Sequence, residues 1–199
     1  MVFLERNKMK TILYVDGRNF LGKLEEVFKT EKKLRPEWHK YNFKSLLDQV
    51  LKGLNVDSKI FYFAKIKEHP DTKEKSQELI KARRLLKTHL EQQGFQVILT
   101  GVVRGNYNQD GVLVFKEKGV DISIAVDMVS AACAKSMAIA ILASSDSDLQ
   151  PAIREITKRG IECIYLGFEL MPNKGLASTT KRTILIRNSE VLQFNSALI

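Results

Sequence analysis

Four aspartates, Asp16, Asp121, Asp146 and Asp148, stand in three short motifs: VDGRN at residues 15–19, KGVD at 118–121 and SSDSD at 144–148. Each motif adjoins an apolar segment. Carboxylates gathered at one edge of a fold repel each other, by about 4 kcal/mol for a pair about 4 Å apart at an effective dielectric near 20. Such a cluster is relieved by a hard divalent cation or by a raised pKa on one member. Asp16, Asp121, Asp146 and Asp148 are therefore a candidate metal set for phosphodiester chemistry. Asn19, Lys118 and Ser144 are candidate substrate contacts. For any one of the aspartates or Asn19 taken alone, capping of a helix start is the favoured reading. However, Ser, Thr or Asn would cap as well, and here every motif carries Asp.

Asp127 is a weaker candidate, because it stands six residues beyond Asp121 and points elsewhere on an ideal helix. It is expected to support the site from behind or to face solvent. Trp38 lies in an expected loop, where packing over a helix end is favoured over stacking on a base. The histidines His39, His69 and His89 are scattered, which argues against zinc. Cys133 and Cys163 lie in apolar stretches, form no CxxC pair and read as buried free thiols of a reducing, cytoplasmic compartment. The first ten residues read as too short and too charged for a signal peptide. No apolar run approaches the ~18 residues that span a membrane.

These motifs need elements to carry them. Residues 11–15, 59–66, 95–103, 138–143 and 161–166 read as apolar strands. Helical spacing covers residues 20–28, 43–51, 72–93, 120–134 and 149–159, carried in 120–134 by Ile122, Ala125, Val126 and Val129, with Pro151 tolerated in a first turn of the last. Residues 29–41 and the polar stretch 104–111 are expected to be loops, the latter leading to a short strand over 112–115. Beyond Phe168 the pattern gives a loop at Pro172, a strand over 183–186 and a helical turn near 189–194. Strands that are apolar throughout and alternate with helices imply an α/β protein with a mainly parallel sheet covered on both faces. In such sheets ligands bind beyond the carboxyl ends of the strands, where the aspartates fall.

Charge is uneven. Residues 1–100 carry 21 Lys and Arg against 13 Asp and Glu, whereas residues 101–199 carry 11 against 10. A basic surface beside an acidic pocket suits a polyanion held while metal ions act on it, although a merely solvated surface looks the same.

Taken in order, TILYVDGRN, KGVDISIAVDM and AILASSDSDLQPAIREITKRGIECIYLG resemble the NYN domain of the PIN-like nuclease superfamily, in particular its DUF88/LabA-like group. The resemblance spans residues 10–168. Ser145 stands where the family often has Gly. The resemblance implies a three-layer α/β/α, PIN-like (Rossmann-like) fold over a single domain of residues 1–199, with residues 169–199 completing or flanking the sheet. It implies a ribonuclease using Mg2+ or Mn2+, with Asp16, Asp121 and Asp146 as the main acidic residues, Asp148 as an auxiliary and Asn19 positioning Asp16, a water or a phosphate. RNA is the expected partner, a homodimer is allowed, and no membrane is involved. A non-catalytic RNA-binding protein that retains the fold is the alternative. A dehalogenase-type phosphatase is disfavoured, because Gly-Arg follows Asp16 and no phosphate-binding GxxxxGK[ST] loop exists.

Overall fold

A computed structural model describes residues 9–68, 73–107, 109 and 113–195, without the side chains of residues 104, 106, 107 and 113. The expected loop at Pro70, the expected helix start at Thr72, most of the stretch 108–112 and the start of the expected strand at Val112 lie outside the described residues. The strands are β1 (Lys10–Asp16), β2 (Ser58–Lys65), β3 (Gln96–Tyr107), β4 (Leu113–Lys118), β5 (Met137–Ala143), β6 (Glu162–Phe168) and β7 (Arg182–Ile186). The α-helices are α1 (Gly17–Thr30), α2 (Phe43–Val50), α3 (Lys73–Gln92), α4 (Val120–Cys133), α5 (Gln150–Lys158), α6 (Lys174–Thr179) and α7 (Asn188–Gln193).

These strands form one sheet in the order β4-β3-β2-β1-β5-β6-β7, with β3–β4 its antiparallel pair. Side chains alternate along β1. Leu13 and Val15 enter a core beneath α1, α2, α3 and α7, while Ile12 and Tyr14 enter a second core beneath α4, α5 and α6. Two apolar layers on opposite faces of one sheet give the three-layer α/β/α architecture, since each helix buries one stripe and each central strand buries both faces.

From β1 the chain builds outward to β2 and β3, then returns to place β5 on the other flank of β1. The reversal leaves a crevice between the carboxyl ends of β1 and β5, where parallel α/β sheets bind ligands. Asp16 ends β1, and SSDSD follows β5 directly.

Several elements differ from the sequence reading. The expected loop at 29–41 begins later, because α1 continues to Thr30, and it contains a short 3-10 turn at Trp38–Lys40. The expected polar loop after residue 103 is strand as far as Tyr107. There β3 outruns β2, which ends opposite Val102, and pairs with β4 alone from Val102↔Lys118 to Tyr107↔Leu113. Cross-strand pairing overrides the weak β preference of these polar residues. At the base of this arm Gly101 has φ +58°, and a Cβ there would lie 2.2 Å from the Lys118 carbonyl oxygen. Only glycine allows that approach. The arm leaves the sheet at its carboxyl edge and returns to the same edge, so α4 starts beside the crevice. Helix α6 escaped the sequence reading. It has six residues, includes Gly175 and is too short to show a period, yet the Asn173 side chain caps it by accepting from Leu176 N at 2.9 Å. β7 adds in parallel to β6, so residues beyond 168 extend the sheet.

Candidate functional site

Asp16 is 5% exposed and does two jobs at the β1–α1 junction. Its Oδ1 accepts the Asn19 backbone N–H at 3.1 Å, capping α1, and its Oδ2 accepts the Asn19 side-chain amide at 2.8 Å. Asn19 in turn accepts the Ser145 hydroxyl at 2.6 Å. Beneath them the buried Ser144 hydroxyl reaches Asp16 Oδ2 at 3.5 Å and accepts the Asp146 backbone N–H at 3.1 Å. Asp146 caps the 3-10 turn Ser147–Leu149, accepting the Asp148 backbone N–H at 2.9 Å. Asn173 fastens this loop from outside, donating to the Ser145 carbonyl at 2.9 Å while the Tyr165 hydroxyl accepts its backbone N–H at 3.0 Å. The turns after β1 and β5 are thus one hydrogen-bonded unit.

Over this unit lies a cavity of about 260 Å³. Asp16, Asp121, Asp146 and Glu117 supply its carboxylates, and Arg18, Lys116 and Asn19 its other polar side chains. Asp121 enters from the first turn of α4, whose N-cap is Gly119 with no side-chain cap. First-turn N–H groups without caps, at the positive end of a helix dipole, favour anions.

Burial pushes the Asp16 carboxyl above its ordinary value and the nearby Asp146 charge adds to the rise, while the Asn19 and Ser144 hydrogen bonds oppose it. Glu117 is also raised, chiefly by burial, with Arg83 and Arg18 partly offsetting and the Asp16 charge adding. Arg83 reaches Glu117 at 3.5 Å, and its guanidinium lies 4.1 Å from the centre of the Phe63 ring. Burial lowers the Arg83 pKa from its ordinary value, with Glu117 opposing.

Of the residues singled out from the sequence, Asp16, Asn19, Asp121 and Asp146 line this cavity together. Asp148 and Lys118 are not among its walls. Asp148 holds Asp146 through its backbone N–H, and the lysine that does face the cavity is Lys116, two residues earlier. Ser144 lies under the site as a positioning residue. Asp127 neither supports the cavity nor faces solvent freely, because it points to the sheet and accepts the Tyr62 hydroxyl at 2.8 Å. Trp38 packs edge-on or tilted against Phe28, Tyr41 and Phe43. Glu117 is not singled out by the sequence, and Arg83, which reads as one of the basic residues on the outer faces of the helix over 72–93 that hold a phosphate backbone or only solvate the chain, is instead largely buried against Phe63 and Glu117. Their partnership joins residues 34 apart through α3 and the β-arm, and no local pattern announces it.

Among the described residues, no three His, Cys, Asp or Glu side chains converge closely enough to form a ready-made ion cage. The donor chemistry still fits a hydrated hard cation. Mg2+ usually keeps several waters and takes only one or two carboxylates from the protein, and a buried Asp16 raised by burial and by a neighbouring carboxylate is relieved by positive charge.

Residues 10–187 match the family model of the NYN domain. No curated protein matches the chain. Among solved structures, a protein of unknown function from Vibrio parahaemolyticus is similar, with a TM-score of 0.61 at 20% identity over 92% of this chain and 96% of that one. At that identity the likeness speaks for the fold alone.

Proposed function

The chain belongs to the NYN domain family, whose fold is nuclease-like, and on that premise we propose that it is a ribonuclease dependent on Mg2+ or Mn2+. The observation that carries this reading is the single cavity at the β1/β5 switch point that Asp16, Asp121 and Asp146 line together.

In this reading Asp16, Asp121 and Asp146 would face a hydrated cation, one or two of them binding it directly and the rest acting through its waters. When bound, the cation makes water more acidic and offsets charge on the reacting phosphate. Asn19 and Ser144 fix the Asp16 carboxylate, and the Asp148 backbone N–H fixes Asp146, so the oxygens need little rearrangement during reaction. Arg18 and Lys116 on the cavity wall, with the uncapped first turn of α4, hold the phosphate oxygens. Water oxygen adds to phosphorus, the bond to the leaving ribose oxygen breaks, and that oxygen takes up a proton. The net charge of +9 draws the polyanion and makes its binding salt-dependent.

The test is cleavage of single-stranded and structured RNA by the purified chain with Mn2+, with EDTA, and as Asp146→Asn. Loss of cleavage in the last two conditions is expected. Cleavage that ignores both overturns the proposal. A second reading, a non-catalytic RNA-binding protein, is supported by the net charge of +9, which draws RNA whether or not the chain cleaves it. That reading gives salt-sensitive RNA binding that survives Asp146→Asn, without turnover.

A further inference from the structure

We propose that the outward face of α4 is a homodimer interface, on which α4 of a second copy of this chain lies antiparallel. The inner face of α4, with Val120, Ile124, Met128 and Ala132, is buried against the sheet. A surface helix with one buried stripe ordinarily shows polar side chains on the opposite side. Here Ile122 is 64% and Val126 55% exposed, and Cys133, against the expectation of a core thiol that only Cys163 meets, is exposed as well. With half-buried Val129 they run 122, 126, 129, 133. That alternation of four and three is the spacing of a helix-pairing seam. Beside the seam, between α4 and α5, a shallow cavity of about 400 Å³ is lined by Ala125, Val129, Ser130, Pro151 and Ala152. Its one charged wall residue, Glu155, is paired with Arg159 at 2.7 Å.

The chemistry of the seam selects its occupant. It has no charge on a chain of net charge +9, so it offers nothing to a polyanion or to an anionic lipid surface. Two copies of so basic a chain repel least where they meet through an uncharged face. The seam also complements itself. About a two-fold axis, the large Ile122 meets the small Cys133 of the second copy, and Val126 meets Val129, so both ends are filled by one self-complementary pattern. Ala125 and Ser130 beside it are small and allow the helices to approach closely. A helix of 14 residues at about 1.5 Å per residue places the two Asp121 side chains roughly 20 Å apart, at opposite ends of the pair. The two acidic cavities would then stay separate.

Sedimentation velocity on the full chain at about 100 µM tests the interface, since a contact of this size need hold no tighter than the micromolar range. The expected result is a dimer for the wild-type chain and a monomer for Val126→Glu, with the same far-UV circular dichroism for both and, once diluted until the wild type is monomeric too, the same melting curve. A wild-type monomer at that concentration overturns the proposal, and so does a Val126→Glu chain that remains dimeric. Orientation is read by crosslinking Ile122→Cys with diamide, which takes up the two thiol hydrogens and electrons as one disulfide forms with Cys133 of the second copy. The crosslinked dimer should disappear when Cys133→Ser is added. A crosslink that persists in that background means the introduced thiols of the two copies meet each other, and it overturns the antiparallel arrangement.

Discussion

Asn19 grips Asp16 twice, through its backbone N–H at 3.1 Å and its side-chain amide at 2.8 Å. These bonds favour the ionised carboxylate, yet burial outweighs them and the carboxyl remains raised. The folded chain therefore binds the Asp16 proton more tightly than the unfolded chain does. Stability from this group is greatest below the ordinary carboxylate value near 4 and is lost as pH rises through the raised folded value. Asp16→Asn removes that dependence and adds a pH-independent loss of one Asn19 hydrogen bond. The melting temperature of Asp16→Asn minus that of the wild type should increase from pH 4 to pH 7 in the absence of divalent ions. Mn2+ should narrow the difference by stabilising the wild type alone, because a ligand of the folded state raises stability by mass action. A difference that is flat with pH would remove Asp16 as a strained acid.

Gly17 follows directly in the turn, and its role is steric. A Cβ at Gly17 would lie 2.1 Å from Cε1 of Phe63, a fully buried ring. Gly17→Ala should therefore cost about 1–3 kcal/mol or more through overpacking, read by urea denaturation. Adding Phe63→Leu should recover part of that loss, giving a coupling energy between the two sites. Additive losses would mean that the turn, not the ring, demands glycine.

Lys116 and Lys118 separate local from spatial reasoning. Both lie on β4, but Lys116 lines the acidic cavity and Lys118 does not. In the ribonuclease reading, Lys116→Ala should weaken RNA binding at all sequences and lower the slope of log affinity against log salt by about 1. Lys118→Ala should leave both unchanged. Fluorescence anisotropy over a salt series checks the pair, and equal effects would move the strand path away from Lys116.

Much of the architecture is written in local patterns. β5 throughout and β1 and β6 in their central residues are apolar because helices cover both their faces, and their carboxyl ends mark the crevice where Asp16 and Asp146 fall. What local patterns lacked was non-local. β3 continues through polar residues because β4 pairs with it, α6 starts at an Asn173 cap, and Glu117 reaches the cavity from β4, where Arg83 of α3 meets it. The exposed apolar side chains of α4 were visible as letters. The helical spacing of Ile122, Ala125, Val126 and Val129 reads as the core-facing stripe, but the sheet fixes the rotation of α4 so that Val120, Ile124, Met128 and Ala132 are buried instead.

Asp121 and Asp127 put that rotation to use. Six residues at about 100° each turn them roughly 120° apart on α4, so one faces the cavity and the other the sheet. Asp127 accepts the Tyr62 hydroxyl at 2.8 Å, and an asparagine oxygen can accept the same bond. Asp127→Asn should thus cost no more than about 1 kcal/mol and leave any RNA cleavage intact, whereas Asp121→Asn should abolish cleavage without loss of fold. Melting curves and metal-dependent cleavage of the two variants, measured side by side, give the answer. If Asp127→Asn loses activity while its melting temperature holds, the reacting centre extends through Tyr62 into the sheet. The cavity at the β1/β5 edge would then be only part of it.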